Sequence, residues 1–352
     1  MLPINEIVCL SNSVYCITFY VVHIKSFYIF VRGFSYDVIL LLLLGMDEKK
    51  DALISPSQGL LIFTLFSVFS LMISSLFIQV ALDYLFGSVE KYIEISESGQ
   101  IIGYELKYLF SHILQLSLLF LVCPLIFLSL YQTRMQLIIH RPISPQNIAV
   151  WGLAILLFIF LNPLVSYLYE SSFHWTFGFE AIKKHAESIK EQYQSVSVAI
   201  SYLTSGNQVI LCYIAIALIP ALGEELFFRG MLQNLIFRKT NNPHVSILIT
   251  ATVFSLFHGF SIYGFLPRLL LGALLGYTYY YTKNYFIPVA IHFINNALVI
   301  TLALLVEYDE AISHLEEMMN TKGFVLIATL LFSLTFYLFI RVIKSKEANY
   351  GE

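Results

Sequence analysis

Long apolar runs alternate with short polar stretches along this chain. From residue 46 onward the runs cover 57–81, 107–131, 148–168, 207–237, 244–261, 265–283, 286–306 and 322–343. A hydrocarbon core about 30 Å thick needs roughly 20 helical residues, so most of these runs read as single membrane spans. The run 244–261 is short for a full crossing, and 207–237 is too long for one. Pro220 lies in the middle of the long run and predicts a kink there. The fold class that follows is all-α: a polytopic helical membrane protein with about eight transmembrane helices.

Composition agrees. Hydrophobic residues make up 58% of the chain, charged residues 12%, and the mean hydropathy is +0.76. A soluble domain typically carries about 25% charged residues, and half of that cannot cover a surface in water. The net charge of −3 comes with no basic run, so nothing speaks for nucleic acid as a partner. Cys9, Cys16, Cys123 and Cys212 have no metal-finger spacing and form no disulfide framework.

Flanking charges give an orientation. Lys49 and Lys50, Arg134 and Arg141, Arg238 and Lys239, Lys283, and Arg341, Lys344 and Lys346 fall at alternate ends of the spans. The intervening loops 82–106 and 307–317 are acidic. The positive-inside rule then puts both termini in the cytoplasm, in the plasma (inner) membrane, and eight crossings return the chain to its starting side. Residues 1–45 lack a signal-peptide pattern. Met46 precedes Asp47-Glu48-Lys49-Lys50-Asp51 and a clean apolar helix, and reads as the natural start. The alternative is an extra N-terminal hydrophobic hairpin. The polar loop 169–206 is expected to hold an amphipathic helix on the outer side.

Ionisable groups cost about +2.5 to +3.5 kcal/mol each near a span's centre on insertion scales. The three spans that follow Met46 hold almost none, whereas the later ones hold a cluster. In Gly223-Glu224-Glu225-Leu226-Phe227-Phe228-Arg229-Gly230, Glu225 and Arg229 are one helical turn apart and can pair. Glu224 is rotated by about 100° and has no neutralising neighbour in sequence, which makes it the candidate general base. The competing reading is a cytoplasmic helix end with both glutamates solvated. His258 ends an apolar run, where a lone histidine is more often a packing residue. His292 and Asn296 are again one turn apart, with Asn295 able to substitute, and both present polar groups to one side. Pro288 reads as a helix start. Gly272 and Gly276 read as a close helix-packing pair, and Arg268 as an interfacial residue that snorkels.

Glu-Glu-x-x-x-Arg, Phe-x-x-x-His and His-x-x-x-Asn, in that order on successive apolar helices, resemble the CAAX-protease and bacteriocin-processing family of intramembrane proteases. The resemblance covers roughly 205–300. It implies the division 1–45 upstream or extra segment, 46–204 N-terminal helices and loops, 205–300 catalytic core, and 301–352 last helix and tail. It also implies a peptidase site buried in the membrane. There Glu224 would take a proton from a water that His258 helps to hold, and His292 and Asn296 would donate to the oxyanion. Glu225 and Arg229 would hold the constellation, with Phe254 packed beside it. The expected partners are the lipid bilayer and a membrane-embedded or lipid-modified peptide or protein substrate.

Zinc on Glu224, His258 and His292 would suit a catalytic metal with one open position. It would leave Glu225, already paired with Arg229, as the base, and no His-Glu-x-x-His is present. A metal-free mechanism without a cofactor is therefore favoured. The alternative function is a non-catalytic membrane scaffold or bacteriocin self-immunity protein of the same fold. A transporter would predict symmetry between the halves, but the buried charges all lie in the second half.

Overall fold

The computed structural model describes residues 54–86, 117–135, 148–172, 206–258, 264–305 and 317–349, together with scattered positions between 174 and 187. Everything below belongs to the compact unit Leu53–Glu352. The expected start at Met46 and the alternative N-terminal hairpin lie outside the described residues, as does most of the loop 169–206 with its expected amphipathic helix.

The described residues are helical, without a strand. Helix α1 is Pro56–Phe86. Helix α2 joins a π-helical stretch, Ser117–Val122, to Cys123–Met135. Helix α3 is Ile148–Ser172. Helix α4 runs unbroken from Gly206 to Thr240, with π-helical stretches at Tyr213–Leu218 and Leu226–Gln233. Then come α5, Pro243–Phe257, α6, Phe265–Thr282, α7, Phe286–Leu305, and α8, Lys322–Asn349.

Among the described residues, four helices are long and apolar enough to cross a membrane: Ile148–Ser172, Val209–Thr240, Phe286–Leu305 and Lys322–Ser345. Pro56–Leu71 within α1, Leu119–Tyr131 within α2 and Pro243–Phe257 are further apolar stretches. These helices mark an integral membrane protein of helical type. The run 265–283 corresponds to α6, which is not apolar enough to join the four. Arg268 and the tyrosines between 277 and 281 keep it more polar. Helix α4 spans 32 residues from Val209, about 48 Å at 1.5 Å per residue, so it outruns a hydrocarbon core.

Helix α4 continues through Pro220, with a π-helical stretch, Tyr213–Leu218, just before it. Pro220 has no N–H to offer the carbonyl one turn back, that of Ile216. A side chain from α7 supplies it instead, Asn296 Nδ2 donating to Ile216 O at 3.3 Å. Asn241 ends α4 in the left-handed region (φ 51°). Asn242 then caps α5, its Oδ1 accepting from the backbone N–H groups of His244 and Val245.

Packing is built in two parts. Helices α3, α6, α7 and α8 share a core that includes Leu157, Phe158, Leu275, Ile291 and Phe339. On the other side, α1, α2, α4 and α5 meet in an aromatic cluster. Phe63 lies 4.9 Å from Phe227, Phe120 5.3 Å from Phe227, and Phe228 5.2 Å from Phe254, ring centre to ring centre.

Glycines set the closest approaches. A Cβ on Gly272 would sit 3.2 Å from Ala251 of α5, and one on Gly276 2.9 Å from Ile247 Cγ2, as a small-residue packing pair requires. A Cβ on Gly223 would lie 2.8 Å from Phe120 Cβ and 3.1 Å from its backbone carbon. Gly223→Ala must therefore push α4 off α2, at a cost of about 1–3 kcal/mol. Gly152 on α3 has open space around it, and Gly152→Ala is expected to unfold no earlier than wild type. Thermal unfolding of both variants in detergent checks the contrast.

Candidate active site

Helix α4 carries Glu224, Glu225 and Arg229, and buries all three. Glu225 and Arg229 are fully inaccessible, and Glu224 is 6% exposed. The reading of a solvated helix end is thus excluded. Such burial demands partners, because an uncompensated interior charge costs several kcal/mol.

Arg229 obtains them in three directions. Its Nη1 lies 2.7 Å from Glu225 Oε1, as the one-turn spacing predicts. Its Nη2 donates to the carbonyl of Gly272 on α6 at 3.0 Å. Its guanidinium carbon stands 4.8 Å from the centre of the Phe254 ring, within cation–π range. The absent side chain at Gly272 is what lets α4 reach that carbonyl.

Glu225 is also the anchor of the third motif. His292 Nδ1 on α7 lies 2.8 Å from the same Oε1 that Arg229 holds. A carboxylate accepts, so this ring nitrogen carries the proton. Glu225 is therefore committed to structure on two sides, between a guanidinium and an imidazole.

Glu224 is placed differently. Its Oε2 is buried, and no hydrogen bond within the protein reaches it among the described residues. His258 Nε2 lies 3.7 Å from it, too far for a direct hydrogen bond. His258 sits just past the end of α5 and is 34% exposed. Its Nδ1 lies 2.8 Å from the carbonyl of Phe254, and a carbonyl can only accept. The proton is thereby on Nδ1, and when the ring is neutral its Nε2 offers a lone pair towards Glu224. In that state two acceptors face one another across a gap beside the part-exposed histidine.

The remaining predicted residues are gathered at the same place. The Phe254 ring lies 4.6 Å from the His258 ring and 5.8 Å from the His292 ring, between the two histidines and beneath Arg229. Asn296 is turned with one amide hydrogen on Ile216 O. Asn295 Nδ2 donates to Asn296 Oδ1 at 3.0 Å, which fixes that orientation. Arg268 folds back along Gly264, its guanidinium within 3.0 Å of where a Cβ would stand there. Among the described residues, no three His, Cys, Asp or Glu side chains are grouped as a metal-ion site. His292 has Nδ1 on Glu225, which leaves Nε2 as its free ring nitrogen.

Residues 206–298 match the family model of the type II CAAX prenyl endopeptidases, Rce1-like. The match runs from the first residue of α4 into α7, and so contains every side chain described above. The resemblance read from the three motifs is borne out over that segment. No curated protein and no solved structure matches the chain.

Several contributors to the Rce1-like segment escaped the sequence reading. Gln233, one turn beyond Arg229, donates from Nε2 to the carbonyl of Gly276 at 3.1 Å, repeating the contact of Arg229 with Gly272 one turn along both helices. Asn234 Nδ2 reaches the carbonyls of Arg229 and Gly230 and the hydroxyl of Tyr279. Their signal was present: two amides inside a run too apolar to hold idle polar groups. Tyr285, whose hydroxyl donates to the carbonyl of Leu222, had none, because it stands among other tyrosines at a span end.

Removing the guanidinium while keeping the length, as in Arg229→Met, strands Glu225 in the interior. The expected loss is about 3–5 kcal/mol of stability, seen as early thermal unfolding or poor recovery in detergent. Arg229→Lys is expected to rescue only part of it, since a single ammonium cannot reproduce the planar fork between Glu225 and Gly272.

Proposed function

We propose that this chain is an intramembrane endopeptidase that cleaves a membrane-associated or lipid-modified protein or peptide with a glutamate-activated water. The observation that carries this reading is the gap between Glu224 and His258. A water lying beside that gap, at about 2.8 Å from each acceptor, would give one hydrogen to the carboxylate and one to the imidazole. Its oxygen lone pairs would then be directed away from both, at a scissile carbonyl carbon.

In the proposed reaction the water oxygen attacks that carbon, and the proton passes to Glu224. The carbonyl π electrons move to the oxygen, forming a tetrahedral oxyanion. Glu224 then returns the proton to the amide nitrogen as the C–N bond breaks. His292 in its protonated form would donate from Nε2 to the oxyanion while Nδ1 stays on Glu225. Asn296 has a second amide hydrogen for the same purpose, the first being used on Ile216. Fixed donors in a site shielded from water contribute most to such a step. Glu225 and Arg229 act as the frame.

We take the reaction to need no metal and no other cofactor. Zinc held by Glu224, His258 and His292 is the rival reading. We further propose eight crossings, with both termini on the cytoplasmic side of the plasma membrane and the bilayer itself as the route by which substrate arrives.

The purified protein in detergent, run against a quenched peptide library, tests the reaction. Glu224→Ala is expected to lose cleavage by about 10²–10⁴-fold, and a zinc chelator is expected to leave the wild type active. Loss in chelator that zinc restores would give the role of Glu224 to metal binding. Glu224→Ala cleaving like wild type would remove Glu224 as the base, and no cleavage by any sample would count for a scaffold or self-immunity protein of the same fold.

A further inference from the structure

Helix α7 is sewn to α4 by side-chain hydrogen bonds that bracket Glu224. On one side, Asn296 Nδ2 donates to the carbonyl of Ile216. Next to Glu224 itself, His292 Nδ1 meets Glu225 Oε1. On the same side as Ile216 but closer, the hydroxyl of Tyr285 donates to the carbonyl of Leu222, two residues before Glu224. The first two stitches come from the third motif. The last comes from outside any motif, out of the short link between α6 and α7.

That link is held firmly. Lys283 ends α6 in the left-handed region (φ 50°), and its ammonium lies 4.0 Å from the centre of the Tyr280 ring. Asn284 is buried; its backbone N–H donates to Thr282 Oγ1, and its Oδ1 accepts from the N–H of Phe286 at the start of α7. Tyr285 thus projects from a braced turn. It is bonded to the α-helical stretch Ile219–Glu225, which lies between the two π-helical stretches. The Leu222 carbonyl also accepts the helical bond from the Leu226 N–H, so the Tyr285 hydroxyl is a second bond on it, coming from outside α4. The rotation of this stretch decides whether Glu224 faces His258.

We infer that Tyr285 is a positioning residue for the site: its hydroxyl, by holding the Leu222 carbonyl, sets the rotation of the Glu224–Glu225 turn. This rests on the peptidase reading for its consequence in catalysis, but not for the stitch itself. A positioning role predicts lost turnover with unchanged substrate binding, whereas a residue that touches substrate would raise KM.

Tyr285→Phe removes only the hydroxyl, and Tyr280→Phe, in the same tyrosine cluster, serves as control. Both are purified in detergent and compared with wild type by amide hydrogen exchange over residues 216–233 and by peptide cleavage. Tyr285→Phe is expected to speed exchange over 219–226 while thermal unfolding stays within a few degrees. It is also expected to lower kcat about tenfold with KM unchanged. Tyr280→Phe is expected to change neither. Exchange in Tyr285→Phe identical to wild type, or KM raised at constant kcat, overturns the inference. If the wild type cleaves no peptide, the peptidase reading fails by itself, and the exchange comparison still decides whether Tyr285 fixes the turn. Should Tyr285→Phe prove unstable, Tyr285→Trp, which keeps a ring N–H donor, is measured in its place. Restored protection over 219–226 supports the stitch, and protection no better than in an unstable Tyr285→Phe counts against it.

Discussion

A single carboxylate oxygen, Glu225 Oε1, is the point on which the site is assembled. Arg229 from its own helix and His292 from α7 both end on it, at 2.7 and 2.8 Å. Arg229 then reaches on to the backbone of α6 and lies over a ring of α5. Four helices are thereby referred to one buried ion pair. An interior pair of this kind is weak evidence for stability, because the cost of desolvating both charges offsets much of their attraction. Its effect is better read as specificity. Any other register between α4 and α6, or between α4 and α7, would leave a guanidinium or a carboxylate unpartnered in an apolar interior. Apolar side chains alone discriminate poorly among registers when the surroundings are also apolar. Here the polar groups do the discriminating.

The same need explains the irregular backbone of α4. A helix whose peptide groups were all satisfied internally would have nothing to offer its neighbours. Pro220 and the π-helical stretches on either side of Glu224 loosen that self-sufficiency. The carbonyl of Ile216 then takes a bond from Asn296, and those of Arg229 and Gly230 from Asn234, while that of Leu222 takes one from Tyr285 beside its helical bond from Leu226. Non-α geometry inside a span is tolerated when neighbouring side chains re-satisfy the freed groups, and π-helical turns collect at functional sites for that reason. On α6 the complementary device is the missing Cβ at Gly272 and Gly276, which exposes two carbonyls one turn apart to Arg229 and Gln233. Close packing and polar anchoring are there one arrangement.

How legible this was in the sequence depended on periodicity. The Glu225–Arg229 pair follows from a spacing of four inside an apolar run, and the Gly272–Gly276 contact follows equally from spacing. Helix positions follow from hydropathy, so α3, α5, α6 and α7 fall close to the runs that predicted them. What spacing cannot give is which helix a polar group will reach across to. The bond from His292 to Glu225 joins residues 67 apart, and only the three-motif resemblance brought them to one place beforehand. The partner of the carbonyl that Pro220 leaves without an N–H is hidden for a related reason: the donor, Asn296, lies on α7 and is invisible until α7 is beside α4.

Two adjacent glutamates in one helix end in opposite circumstances, and the local geometry explains why. Their side chains leave the helix about 100° apart, so a neighbour that satisfies one cannot serve the other. Glu225 points where Arg229 and α7 converge. Glu224 points to the end of α5, where the chain leaves the helix at His258. The Phe254 carbonyl takes the Nδ1–H of His258 and so turns Nε2 towards Glu224. Among the described residues both carboxylates keep a buried Oε2 without a hydrogen bond, but Glu225 spends Oε1 on Arg229 and His292, whereas Glu224 lies beside the part-exposed His258.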